Sequence, residues 1–223
     1  MRIFINFTRK EKVQKLAKVD FIWGYQVRFL VGNTNRSEEK SHPRLIKNFQ
    51  RYIIGDYDDR YENLHFKTFT AFQFVSLCSV RNSNIIFIDD DTFFDPIQKI
   101  LPAPITCGHE RNNAETTWKK PFGKYYLSND VWPDNYRYPT YCAGACTVLR
   151  SSAAQKIYNV ARKIELNEFN IDDVLFTGVY RELANIPVPS VKHNLCHHFT
   201  GDYNALLTKF RTYDSKMNTL IKK

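Results

Sequence analysis

The chain has 223 residues, 43% of them hydrophobic and 25% charged, which is enough apolar content to bury a full core as one α/β domain. Its formal net charge is +9, but the basic residues are spread along the chain and the densest group, Arg9-Lys10-Glu11-Lys12, is interrupted by an acid. That pattern describes a solvated surface and argues against nucleic acid as a partner. No apolar run approaches the roughly 18 residues of a spanning helix, so the residues given are expected to be soluble, with any membrane anchor missing from them.

In chain order, residues 2–7 are expected to form a first strand, because Ile3, Phe4, Ile5 and Phe7 are β-formers, and residues 10–18 have helical composition. Val27-Arg28-Phe29-Leu30-Val31-Gly32 reads as a second strand stopped by glycine. Residues 43–51 suit a helix ahead of a strand at Tyr52-Ile53-Ile54-Gly55. Over 61–80, the residues Leu64, Phe66, Phe69, Phe72, Phe74, Val75 and Leu77 predict a largely buried helix packed on the sheet.

The stretch Ile85-Ile86-Phe87-Ile88-Asp89-Asp90-Asp91-Thr92-Phe93-Phe94 then runs four apolar residues into three carboxylates. A short run this rich in β-branched residues predicts a strand buried on both faces, and such strands deliver ligands at their carboxyl ends. Three adjacent acids repel one another unless they face water or a divalent cation neutralises them. Hard oxygen ligands suit Mg²⁺ or Mn²⁺, either of which bridges carboxylates to nucleotide phosphates. A solvated acidic turn is the alternative, and the buried strand before the acids with Phe93-Phe94 after them favours the ligand site.

Residues 102–139 hold Trp118, Tyr125, Tyr126, Trp132, Tyr136 and Tyr138 among prolines. They are expected either to wall a pocket against a sugar or base, or to form a second hydrophobic cluster. Trp118, Tyr126, Trp132 and Tyr141 are the wall candidates. Residues 151–163 predict a helix with Ser151-Ser152 as N-cap. A second acidic pair, Asp172-Asp173, opens another apolar helix, and Cys196-His197-His198 precedes an amphipathic helix over 203–210. Five cysteines, Cys78, Cys107, Cys142, Cys146 and Cys196, are too few for a disulfide scaffold and fit no zinc spacing, and an odd count leaves at least one thiol unpaired. Two sequons, at Asn6 and Asn35, are expected on the surface if the chain enters the secretory pathway. The alternation of strands and helices predicts α/β with a mostly parallel central sheet flanked by helices.

Five blocks carry a resemblance to a known family. Phe29-Leu30-Val31-Gly32 looks like an FLLG strand, and Asp56-Tyr57-Asp58-Asp59-Arg60-Tyr61-Glu62-Asn63-Leu64-His65-Phe66-Lys67-Thr68 matches DFxDxYxNLTxKT at seven spaced positions. Asp89-Asp90-Asp91-Thr92-Phe93 resembles the DDDxF form of a DxD motif, Tyr138-Pro139-Thr140-Tyr141-Cys142-Ala143-Gly144 resembles YPxYCxG, and Asp172-Asp173-Val174 with Gly178 resembles EDVxxG. In this order they resemble the inverting β-1,3-galactosyltransferases and β-1,3-N-acetylglucosaminyltransferases of GT-A nucleotide-sugar fold. The chain departs from the family pattern at its N-terminal RxxIRxTW block, which is not legible, at Cys146 and Thr147, where glycine and tyrosine usually follow, and at Asp172, where the family has Glu.

The resemblance implies one catalytic domain over 1–223 and a metal-dependent transfer of galactose or N-acetylglucosamine from a UDP-sugar (UDP-galactose or UDP-N-acetylglucosamine) to the 3-hydroxyl of an acceptor glycan on a glycoprotein or glycolipid. Asp91, with Asp89, would ligate Mn²⁺. Asp89 and Asp90 would hold the ribose or the ion's waters, and His197 or His198 would add a nitrogen ligand. Asp173 would be the general base, with Asp130 and Asp134 next in line. Family members reside in the Golgi membrane with a lumenal domain. The unmatched N-terminal block leaves an alternative, a degenerate relative that binds nucleotide-sugar or glycan without transfer.

Overall fold

The computed structural model describes residues 2–7, 21–22, 25–33, 45–49, 52–78, 82–95, 98–112, 125–133, 136–165, 169–200 and 202–221. Its strands in chain order are β1 (Arg2–Phe7), β2 (Phe21–Ile22), β3 (Tyr25–Gly32), β4 (Leu45–Phe49), β5 (Tyr52–Gly55), β6 (Asn84–Asp89), β7 (Thr92–Phe94), β8 (Ile105–Cys107), β9 (Glu110–Arg111), β10 (Tyr141–Cys142), β11 (Cys146–Arg150), β12 (Ser190–Val191) and β13 (Cys196–His198). The helices are α1 (Leu64–Cys78), α2 (Ser151–Ala161), a π-helix (Val174–Tyr180) running into α3 (Arg181–Leu183), and α4 (Tyr203–Ile221).

The main sheet has the order β12-β8-β11-β6-β1-β3-β5-β4, with β2 beside β3. Its centre, β6-β1-β3-β5, is parallel. Around it β11 runs antiparallel to both β6 and β8, β4 to β5 and β2 to β3. The α/β class therefore holds, whereas the expected mostly parallel sheet is mixed, because β4 pairs with β5 in a short antiparallel hairpin and β11 inserts antiparallel between β6 and β8.

Strand β6 shows why the fold positions a site. Its residues alternate between two cores: Ile85 and Phe87 pack with α1, α2 and the π-helix, through Phe72, Val75, Ile157 and Phe176, while Ile86 and Ile88 pack on the other face with Val27, Phe29, Val31 and Val148. A strand buried on both faces reads as a continuous apolar run, as the sequence does here. The same alternation puts Asp89 on the helix-bearing face with Phe87.

Residues 43–51 do not form the expected helix. Leu45–Phe49 is a strand pairing antiparallel with β5 in a hairpin, a tertiary pairing that overrides local composition. Helix α1 lies within its expected span. Ser151 is already helical in α2, and the cap position is Arg150, with no side-chain cap. The segment Cys196-His197-His198 is a strand, antiparallel to β7, and α4 extends well past 210. Asn6 falls on central β1, paired on both edges, instead of a surface loop. The expected helix over 10–18, Asn35, Trp118 and Asp134 lie outside the described residues.

The block 56–68 is mostly architecture. Tyr57 is buried across Gly32, where a Cβ would run into the tyrosine's ring and carbonyl. That close approach is what the glycine ending β3 provides. Lys67 on α1 forms a 2.7 Å ion pair with Asp59, both side chains under 10% exposed. Disulfides join Cys107 to Cys142 and Cys146 to Cys196, leaving Cys78 as an exposed free thiol.

Candidate active site

At the carboxyl end of β6 a cavity of about 460 Å³ is lined by Asp89, Asp91, Asp172, Asp173 and His198, with Tyr61, Thr68, Phe72, Tyr125, Gly144, Thr147, Asn170 and Phe176 among its other walls. Two separate acidic pieces of sequence thus meet in one space. Asp89 arrives on the last residue of β6 and Asp91 on the turn after it. Antiparallel pairing of β13 with β7 sets His198 opposite Thr92, and its Nε2 lies 3.0 Å from Asp91 Oδ1. Strand alternation turns His197 the other way, against the ring of Phe93.

One ligand atom from each of Asp89, Asp91 and His198 falls within 4.8 Å of the others. Two hard carboxylate oxygens with one imidazole nitrogen form a donor set that fits a divalent ion of the Mn²⁺ type. Electrostatics favours such an ion. Burial, followed by the neighbouring charges of Asp172, Asp91 and Asp90, pushes the Asp89 carboxyl up to about 7, against the opposing pull of Lys67. The cluster is short of positive charge, and a cation would relieve it. Asp90 is buried and stands outside the cavity lining.

Asp172 and Asp173 open the helix that becomes the π-helix, a form concentrated at functional sites. The two acids have different restraints. Thr68 of α1 donates its hydroxyl to Asp172 Oδ2 at 2.6 Å. Asp173 Oδ2 accepts the Gly144 N–H at 2.7 Å, and Thr177 donates to the Asp173 carbonyl at 2.7 Å while accepting the Cys142 N–H. Gly144 has φ +77°, a conformation open to glycine, and in it the amide of the YCxG-like block meets Asp173. Burial, then the charge of Asp172, holds the Asp173 carboxyl well above its ordinary value, with the Gly144 N–H opposing. That raises its basicity.

Of the aromatic wall candidates, Trp132 and Tyr141 pack against the main core, Trp132 edge-on to Phe169 and beside Tyr138. Tyr126 is exposed and stands outside the lining. The tyrosine rings that line the cavity are Tyr61 and Tyr125, beside the phenylalanines Phe72, Phe87 and Phe176. Tyr61 and Thr68 were in view as part of the 56–68 block, but nothing in their spacing assigned them to the cavity. Asp130 is an exposed turn residue outside the lining.

The sequence is similar to known proteins over much of its length. A relative from Rattus norvegicus, UDP-GlcNAc:betaGal beta-1,3-N-acetylglucosaminyltransferase 7, is 25% identical over 173 residues, covering 71% of this chain and 42% of that protein. Beta-1,3-galactosyltransferase bre-2 of Caenorhabditis elegans is 26% identical over 170 residues, 68% of this chain and 45% of its own length. Lactosylceramide 1,3-N-acetyl-beta-D-glucosaminyltransferase of Homo sapiens is 26% identical over 174 residues, 71% and 45%. The chain spans less than half the length of these curated relatives. The Galactosyltransferase family model matches residues 10–192, most of the sequence and every element that lines the cavity up to the π-helix, and the chain belongs to the galactosyltransferase family.

Proposed function

We propose that the chain is the catalytic part of a metal-dependent, inverting β-1,3-hexosyltransferase of GT-A fold, moving galactose or N-acetylglucosamine from a UDP-sugar to the 3-hydroxyl of a glycan on a glycoprotein or glycolipid. The observation that carries it is the convergence of Asp89, Asp91 and His198 in a cavity that Asp173 also lines. UDP-N-acetylglucosamine, β-galactoside and lactosylceramide are named for the relatives, and they define the substrate classes to try first.

Asp91, Asp89 and His198 would hold Mn²⁺, which when bound neutralises charge developing on the departing UDP. Asp173 accepts the proton of the acceptor hydroxyl, held in place by the Gly144 amide, its basicity raised by burial and by Asp172. Asp172, tied to Thr68, orients that helix start and adds negative charge beside the base. Tyr61 and Tyr125 offer flat faces for a sugar ring. Family residence in the Golgi lumen, an oxidising compartment, accords with the two disulfides. Among the described residues no helix is long and apolar enough to cross a membrane.

The test is UDP release from UDP-galactose and UDP-N-acetylglucosamine with Mn²⁺, with and without β-galactoside acceptors. Acceptor-dependent release that chelation abolishes is the expected result. Mn²⁺-dependent UDP binding with no transfer to any acceptor would establish the degenerate binding protein in its place.

A further inference from the structure

One of the two disulfides closes a ring of elements around the candidate metal ligands. Strand β6 ends at Asp89, and the turn through Asp90 and Asp91 leads into β7. Strand β7 pairs with β13, and the N–H of Phe199, next to His198, donates to the Asp91 carbonyl at 2.9 Å. Two residues before His198, Cys196 is bonded to Cys146. Cys146 begins β11 opposite Ile88 of β6, and the carbonyl of Ala145 before it accepts the Asp89 N–H at 3.0 Å. The path from Asp89 to His198 and back to Asp89 is therefore covalent or hydrogen-bonded at every link. Gly144, which holds Asp173, lies two residues from the bridge.

Both cysteines are buried, in the core cluster with Ile86, Ile88 and Leu195. Strand β13 has three residues and its partner β7 has three, and a pair so short is marginal by itself. A ligand carried on it needs restraint from elsewhere, since small errors in imidazole orientation weaken a metal site.

We propose that the Cys146–Cys196 disulfide is a positioning element of the metal site: it holds His198 against Asp89 and Asp91 and thereby sets divalent-ion affinity, resting on the metal reading given above.

The experiment titrates Mn²⁺ against the protein, reading free Mn²⁺ by electron paramagnetic resonance, first on the parental chain and then on Cys146→Ala/Cys196→Val, which keeps both positions apolar. With folding verified by circular dichroism, the double variant should bind Mn²⁺ roughly 10–100-fold more weakly, the cost of losing a group that orients a ligand. Cys107→Ser/Cys142→Ser, which removes the other bridge, should lower thermal stability and leave Mn²⁺ affinity at the parental value. A folded Cys146→Ala/Cys196→Val protein with parental affinity overturns the proposal, as does an equal loss from the control pair, which would mean general loosening. If the double variant does not fold, the parental protein is titrated under graded dithiothreitol, with alkylation and mass mapping scoring each bridge and circular dichroism confirming the fold. Affinity that is indifferent to opening of Cys146–Cys196 then overturns it. A parental chain that binds no Mn²⁺ removes the metal reading itself, and the first titration separates that failure from the others.

Discussion

Asp173→Asn separates binding from chemistry most cleanly. The amide keeps the side chain's shape, and its oxygen can still accept the Gly144 N–H now received by Asp173 Oδ2 at 2.7 Å. The loop and helix start therefore keep their geometry. What disappears is the proposed proton acceptor, so turnover should fall by roughly 10²–10⁴-fold, or about 3–5 kcal/mol of barrier. Asp172→Asn likewise keeps an acceptor for the Thr68 hydroxyl at 2.6 Å. It exchanges a charge-assisted bond for a neutral one, a loss of about 1 kcal/mol, or roughly fivefold. The assay pairs acceptor-dependent UDP release with calorimetric titration of donor in Mn²⁺. Asp173→Asn should lower kcat with donor affinity little changed, the signature of an interaction made in the transition state. Near-parental transfer by Asp173→Asn, or greater damage from Asp172→Asn, would refute the assignment of the base.

Asp91→Ala should abolish Mn²⁺-dependent UDP binding and leave the unfolding transition in place, since the carboxylate lies on a turn at the cavity; unchanged UDP affinity in calorimetry would remove it from the ligand set. His198→Ala should weaken Mn²⁺ affinity while His197→Ala, whose ring lies against Phe93, should not, and the reverse order in the same titration would mean the β13 register is wrong. Lys67→Met leaves Asp59 buried and unpaired, so urea denaturation should show a loss of about 3–5 kcal/mol, and a loss below about 1 kcal/mol would contradict the buried pair. Burial pulls His65 down from 6.5 to about 4. A lowered histidine contributes stability that is complete above pH 6.5 and lost as pH falls through 4, on the order of 3 kcal/mol, and in urea unfolding across that window His65→Gln should flatten the slope.

The sequence by itself determined the elements whose signal is local. The apolar run 85–88 specified a strand buried on both faces, and hence that the acids after it sit at a sheet's rim, because a run this short and this rich in β-branched residues suits a strand covered on both sides. The helix from 151 was legible because Ala154, Ile157 and Ala161 recur at a helical period, and the helix within 61–80 because a long stretch is dense in apolar residues, buried all round instead of along one stripe. The segment 45–49 was not legible, since its strand state depends on the hairpin partner β5 and not on its own composition. Nor could local pattern say that Cys146 meets Cys196, that Tyr125 and not Trp132 faces the cavity, or that His198 and not His197 turns towards Asp91. The choice between the histidines depends on strand register, where a shift of one residue exchanges the faces, and the other two depend on how separate strands and loops pack together. The approach of Asp172-Asp173 to Asp89 across more than eighty residues of sequence is likewise a product of packing. Thr68 on α1 and Gly144 on its loop grip the two carboxylates only once the helices have closed over the sheet.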